Sequence, residues 1–299
     1  SKNSDKIEEF CNILRNSENV FLTASGTSYH CALIAKHILS NFAKIHAETV
    51  VSSEFQYTLD GIDNTSVLLA LSQSGETADV LQAVNAAKDA VDNGIKLIIA
   101  IPEHVPVRDA IEAVEYAKAN NARIIGPNTP GVIVPDVIKV GIMPHQPFTR
   151  GRTAVFSRSG TLMYEVSFHL SRAGIGQRIA LGIGGDPING TNLIEAFELI
   201  RNSDDVDSVV VVGEIGGDAE ELLAEYILDT GFVKPVVAYI AGRSAPKEKK
   251  MGHAGAIIYG NYGSAQSKIT KFADANVPVA KRPAEIPQLV LSRSARRVL

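Results

Sequence analysis

The chain has 299 residues, 45% of them hydrophobic and 21% charged, with a formal net charge of −4. That is long enough for two domains with cores of their own and too apolar for disorder. With 29 basic against 33 acidic residues there is no field to draw in a polyanion, and no apolar run approaches the ~18 residues of a membrane span, so nucleic acid and membrane are excluded as partners. Two cysteines, Cys11 and Cys31, build neither a disulfide framework nor a zinc site, and no metal site is expected. The polar N-terminal residues lack a signal-peptide core, and the expected compartment is the cytoplasm.

The first predicted strand, residues 19–23, runs into Ser25-Gly26-Thr27-Ser28-Tyr29 and then into an amphipathic helix. Strands at 47–52 and 66–71 follow, and the second of these opens on Ser72-Gln73-Ser74-Gly75-Glu76-Thr77. A helix comes next, whose Val80, Leu81, Val84 and Ala87 fall on one face. Each arrangement is strand, hydroxyl-rich loop, helix, which holds a phosphate monoester through side-chain hydroxyls and helix N-terminal amides. A helix cap is the simpler reading of either loop alone, and it is the repetition that favours a phosphate site.

Strands are predicted at 96–101 and 123–125, and the turn-rich Pro127-Asn128-Thr129-Pro130-Gly131 and Pro144-His145-Gln146-Pro147 set a boundary near residue 147. Further strands at 153–157, 178–182, 208–213, 235–240 and 277–280 alternate with helices, and residues 292–299 read as a frayed basic tail. The alternation gives an α/β class with parallel sheets in two domains, 1–147 and 148–299.

The second half carries the chemistry. His253 sits in Met251-Gly252-His253-Ala254-Gly255-Ala256, where small neighbours on an exposed loop leave an imidazole open to a phosphoryl donor. An isolated histidine is more often a solvated or packing residue, so neighbours must decide. Glu214 ends a strong strand in Val211-Val212-Gly213-Glu214-Ile215-Gly216-Gly217, at the edge where open sheets bind ligands, and a carboxylate there can orient the ring. It also reads simply as a helix cap. Ser157-Arg158-Ser159-Gly160-Thr161 joins a strand to a helix whose amide end would receive a phosphate, although capping explains these hydroxyls as well. Gly182-Ile183-Gly184-Gly185-Asp186-Pro187 is expected to line the same cleft.

In this order S-R-S-G-T-L, G-I-G-G-D-P, G-E-I-G-G, Y-I-A-G-R and M-G-H-A-G-A resemble the α subunit of succinate–CoA ligase (succinyl-CoA synthetase), from about Asp92 to Val290. The resemblance implies that His253 is phosphorylated, that Glu214 is its acidic partner, and that Ser157, Ser159, Gly160 and Thr161 bind the phosphate. It implies CoA or acyl contacts by Ile101, Glu103 and Asn128, and an ATP-grasp β subunit that supplies nucleotide and Mg²⁺. Thr129 stands where the family commonly has Cys, and Pro102 and His104 replace its usual Thr and Gly.

The front of the chain lacks that family's G-x-T-G-x-x-G turn, so CoA binding is expected to be impaired. Its S-G-T-S-Y and L-S-Q-S-G-E-T-A-D, over roughly residues 18–87, resemble the sugar isomerase (SIS) domain of glutamine–fructose-6-phosphate aminotransferase. That likeness implies sugar-phosphate contacts by Ser25, Thr27, Ser28, Ser72, Gln73, Ser74 and Thr77, without isomerase chemistry. The two resemblances together describe a chimera: a Rossmann-like hybrid domain (1–87 SIS-like, 88–147 CoA-binding-like) followed by a flavodoxin-like ligase domain. One continuous sheet should then span residues 19–125. The expected activity is that of a nucleotide-dependent acid–thiol ligase subunit working through a phosphohistidine. The alternatives are a phosphosugar-binding module and a catalytically inactive engineered fusion.

Overall fold

The computed structural model describes residues 19–24, 27–38, 40, 46–51, 66–71, 88, 91, 92, 94–103, 105–246, 251–258 and 263–295. The first sheet contains β1 (Asn19–Ala24), β2 (Ala47–Val51), β3 (Ser66–Leu71), β4 (Leu97–Ala100) and β5 (Arg123–Ile125) in the order β2-β1-β3-β4-β5. All of its pairings are parallel. β3 pairs with β4 through Leu68 with Ile98, Leu69 with Ile99 and Ala70 with Ala100, and β4 pairs with β5 through Ile98 with Ile124 and Ile99 with Ile125. One sheet therefore spans residues 19–125, as expected. Helix α1 (Thr27–Ile38) follows β1, and α2 (Val107–Ala119) buries Ala110, Ala113, Val114 and Ala117 on one stripe before β5.

The second sheet has seven strands, in the order β12-β11-β10-β8-β9-β6-β7. Its parallel part is β8 (Arg150–Ser157), β9 (Gln177–Gly182), β10 (Ser208–Glu214), β11 (Val236–Ala241) and β12 (Val279–Ala280). Helices α3 (Gly160–Arg172), α4 (Leu193–Ile200), α5 (Ala219–Asp229), α6 (Ala265–Asp274) and α7 (Ile286–Ala295) complete this half. Every residue of β10 is buried, which is why it reads as an unbroken valine run rather than an alternation.

Two features depart from the sequence reading. Residues taken as connection before a boundary near 147 form an antiparallel hairpin, β6 (Gly131–Val134) and β7 (Ile138–Gly141), and β6 adds to the edge of β9. Sheet membership thus changes between Ile125 and Gly131. The hairpin buries Val132, Ile133, Val134 and Val140 and covers an edge that would otherwise stay open. The expected frayed tail is helical as far as Ala295, because Ile286 and Val290 are buried and the Arg293 guanidinium donates to the carbonyl of Asn276 at 2.8 Å.

The halves share one apolar core that runs from Leu22, Ile99 and Ile125 to Val132, Phe156 and Val211. Polar ties add to it: the Thr191 hydroxyl donates to the carbonyl of Ile124 at 2.7 Å, and the Gly190 N–H to that of Gly126 at 2.7 Å. Among the described residues no helix is long and apolar enough to cross a membrane.

Candidate active site

In an open parallel sheet, ligands gather beyond the carboxyl ends where the strand order reverses. In the second sheet that point lies between β8 and β10, whose Ser157 and Val212 are paired. β8 delivers the Ser157–Thr161 turn there, and β10 ends on Glu214.

The His253 loop descends onto this edge. The Met251 N–H donates to the Ala256 carbonyl at 2.9 Å, closing the loop, and the Gly255 N–H donates to Gly185 at 3.1 Å, docking it. Gly216, at φ +90°, allows the approach, since a Cβ there would lie 1.9 Å from the Gly255 carbonyl oxygen. The ring itself rests on Gly185, where a Cβ would come within 2.4 Å of His253 Cγ. His253 Nδ1 lies 2.8 and 2.9 Å from Oε1 and Oε2 of Glu214. The imidazole is half-buried, with 27% of its side chain exposed, rather than carried on an open loop.

Behind Glu214 lies a chain of buried charges. Arg158 Nη2 is 3.6 Å from Glu214 Oε1, and its Nη1 is 3.2 Å from Glu220 Oε1 and donates to the Gly216 carbonyl at 2.9 Å. Glu220 also accepts the Glu214 backbone N–H at 3.0 Å. Lys268, fully buried, pairs with the other oxygen of Glu220, lies 3.3 Å from Glu221 Oε2 and donates to Gly216 at 3.0 Å. Burial alone would raise the Glu220 carboxyl; the Arg158 and Lys268 charges outweigh it and hold the group below the usual range. The Glu214 hydrogen bond lifts His253 above its ordinary value, partial burial and Arg158 oppose this, and Asp186 assists.

The other expected site residues fall in three groups. Ser159 caps α3, its hydroxyl accepting from the Leu162 N–H at 3.4 Å; Thr161 is exposed in the first turn, and Gly160 packs beside Pro130. Ser157 is different: its buried hydroxyl donates to the Ser159 carbonyl at 2.7 Å and accepts the Ser159 N–H at 3.1 Å. Ser157 thus shapes the turn rather than presenting its hydroxyl to a ligand. Ile101, Glu103 and Asn128 come together at the carboxyl edge of the first sheet, where the Asn128 N–H donates to Pro102 at 2.6 Å. The Asn128 side-chain amide donates to Asp186 at 3.0 Å, and its carbonyl accepts from the Gly185 N–H at 3.3 Å, so this loop abuts the segment supporting His253. Among the sugar-phosphate candidates, Ser25, Ser72, Gln73, Ser74 and Thr77 lie outside the described residues, and Thr27 and Ser28 open α1 without described side chains. β1 and β3, which these loops follow, are neighbours, with Ala24 paired to Leu71 at the reversal point of the first sheet.

Arg158, Glu220 and Lys268 were not singled out from the sequence as site residues. A signal was present: Lys268 falls between Ala265 and Phe272 on the buried stripe of α6, and Glu220 precedes Leu223, Ala224 and Ile227 on that of α5. A charge in phase with an apolar stripe requires a partner.

The CoA-ligase family model matches residues 156–277, and the SIS domain model matches residues 13–101. The chain is 44% identical over 222 residues to the succinate–CoA ligase [ADP-forming] subunit alpha of Staphylococcus aureus, covering 73% of each. It is 46% identical over 208 residues to subunit alpha 2 from Archaeoglobus fulgidus, covering 70% of this chain and 72% of that one. Among solved structures, ATP citrate lyase from Methanosaeta concilii, in complex with (3S)-citryl-CoA, superposes with a TM-score of 0.78 at 18% identity. That match covers 97% of this chain but 52% of the lyase, about half its length, and shows a common fold.

Proposed function

The chain belongs to the succinate–CoA ligase alpha-subunit family, and on that premise we propose that it is the phosphoryl-carrying subunit of an acid–thiol ligase, with His253 as the residue phosphorylated. The observation that carries this reading is the Glu214 carboxylate on His253 Nδ1. A carboxylate accepts only, so Nδ1 carries the ring proton and Nε2 keeps its lone pair for attack. Nε2 forms a bond to phosphorus as the bond to the leaving oxygen breaks, and the electron pair departs with an acyl carboxylate or a nucleoside diphosphate. The ring keeps its Nδ1 proton, and Glu214 stabilises the resulting positive charge. The free amides of Gly160 and Thr161 and the Ser159 cap are suited to hold the phosphoryl group, with Ser157 fixing the turn.

Nucleotide and Mg²⁺ are assigned to an ATP-grasp β-type partner. Glu214, Glu220 and Glu221 are engaged with His253, Arg158 and Lys268, so they do not form a cation site. CoA binding is proposed to be weakened, because β1 leads into Ser25-Gly26-Thr27 where the family has its pyrophosphate turn. Ile101, Glu103 and Asn128 are proposed to contact the acyl group or CoA, a reading supported by their place at the carboxyl edge of the first sheet.

The test is incubation with a succinate–CoA ligase β subunit and labelled ATP. Acid-labile, base-stable label on the parent and none on His253→Asn is expected. An unlabelled parent, or a labelled variant, overturns the proposal. A second reading, a phosphosugar-binding module, draws on the adjacency of β1 and β3. It predicts calorimetric binding of glucosamine 6-phosphate or fructose 6-phosphate that is lost in Ser72→Ala or Thr27→Ala. If both labelling and sugar binding fail, a catalytically inactive fusion remains.

A further inference from the structure

Lys268 is a lysine with no exposed side-chain surface, on the buried stripe of α6. Removing an ammonium from water is costly, and such a group is retained only where partners hold it. Its partners are Glu220, Glu221 and the Gly216 carbonyl. Glu220 shares Arg158 with Glu214, and Glu214 shares itself between Arg158 and the His253 ring. Four steps of contact therefore link α6 to the imidazole: three ion pairs between buried side chains and, last, the contact of Glu214 with Nδ1 of the half-buried ring.

We propose that Lys268 is a positioning residue for the His253 reaction: by neutralising Glu220 it fixes how Arg158 is divided between Glu220 and Glu214, and so how much of Glu214 is left to the imidazole. Without the ammonium, Glu220 has Arg158 as its remaining cation and draws the guanidinium from Glu214. The released carboxylate then favours the protonated ring, and the neutral nucleophile is reached only at higher pH. The loss of a buried positive charge acts in the same direction. Removing the Glu220 charge does the opposite, since Arg158 then turns wholly to Glu214 and opposes protonation. The groups facing His253 are Glu214 from β10, Arg158 from the turn after β8 and Asp186 from the turn after β9. Those facing Lys268 are Glu220 and Glu221 from α5.

This inference uses the phosphohistidine reading for its consequence but can be tested apart from it. The His253 ring is titrated by NMR in the full chain and in Lys268→Met, Lys268→Arg and Glu220→Gln. Lys268→Met should shift its midpoint up by roughly half a pH unit, Glu220→Gln should shift it down by a similar amount, and Lys268→Arg should stay near the parent. Opposite shifts separate charge coupling from lost packing, which gives no reason for opposite signs. Equal midpoints, or shifts of the same sign, overturn the proposal. If Lys268→Met does not fold, Glu220→Gln decides: a downward shift supports the coupling, and no shift or an upward one refutes it. Since no phosphoryl transfer is needed, opposite shifts in a parent that takes no label would leave the coupling intact and sink the phosphohistidine reading. A labelled parent without shifts would do the reverse.

Discussion

His253 Nδ1 sits 2.8 and 2.9 Å from the two carboxylate oxygens of Glu214, a residue 39 positions earlier in the chain. Bonding to both oxygens fixes the ring plane as well as its protonated nitrogen, and leaves Nε2 outside that contact. The pair is held from below by Gly185 and from behind by Arg158.

Glu214→Gln keeps the shape of the side chain and removes its charge. The rate of His253 phosphorylation by a β subunit and ATP should fall by at least about 100-fold, in line with the loss of a carboxylate that orients a catalytic imidazole. Quenched-flow labelling measures it, and a rate within a factor of two of the parent would deny Glu214 its orienting role.

The same pair makes stability depend on pH. His253 binds its proton more tightly folded than unfolded, where its value is about 6.5. Its stabilisation is complete below about pH 6.5 and is lost as pH rises through the higher folded value. Melting curves taken from about pH 6 to about pH 8 should show this loss in the parent, and Glu214→Gln should flatten it.

Gly185→Ala places a methyl group where the His253 ring lies, 2.4 Å from Cγ. The ring must move, at a cost of about 1–3 kcal/mol, and should part from Glu214. The expected result is a folded chain, by circular dichroism, with a lowered urea midpoint and reduced labelling. Unchanged labelling would mean that the loop yields without moving the ring.

The Asn128 loop ties the halves at the site. Asp186 is buried, and its Oδ2 has no hydrogen-bond partner among the described residues, so the Asn128 amide on Oδ1 is its side-chain donor. Asn128 adopts φ 57°, which makes Asn128→Gly the suitable variant because it removes the donor without adding backbone strain. Denaturant titration should show a loss of about 1–3 kcal/mol, the cost of stranding a buried acceptor.

Much of this was legible from residues alone. β10 announced itself by four consecutive valines and α3 by the spacing of Val166 and Leu170 behind a serine cap. β6 and β7 did not, because Val132-Ile133-Val134 is too short to be distinguished from a connection between proline-rich turns. It becomes a strand because the edge of β9 offers it partners. The helical ending was missed for the same reason: the α7 residues around Ile286 and Val290 are ordered by burial that no local pattern displays.

The sequence by itself determined the α/β class and the alternation that builds the parallel part of both sheets, and it singled out His253 and Glu214 as candidates, since periodicity and motif are properties of neighbouring residues. Tertiary structure alone decided that Arg158, Glu220 and Lys268 form one buried line behind them, that the hairpin belongs to the second sheet, and that Asn128 meets Asp186. Strand order sets which carboxyl ends meet, and residues far apart along the chain share a charge network only when a parallel sheet stacks those ends side by side.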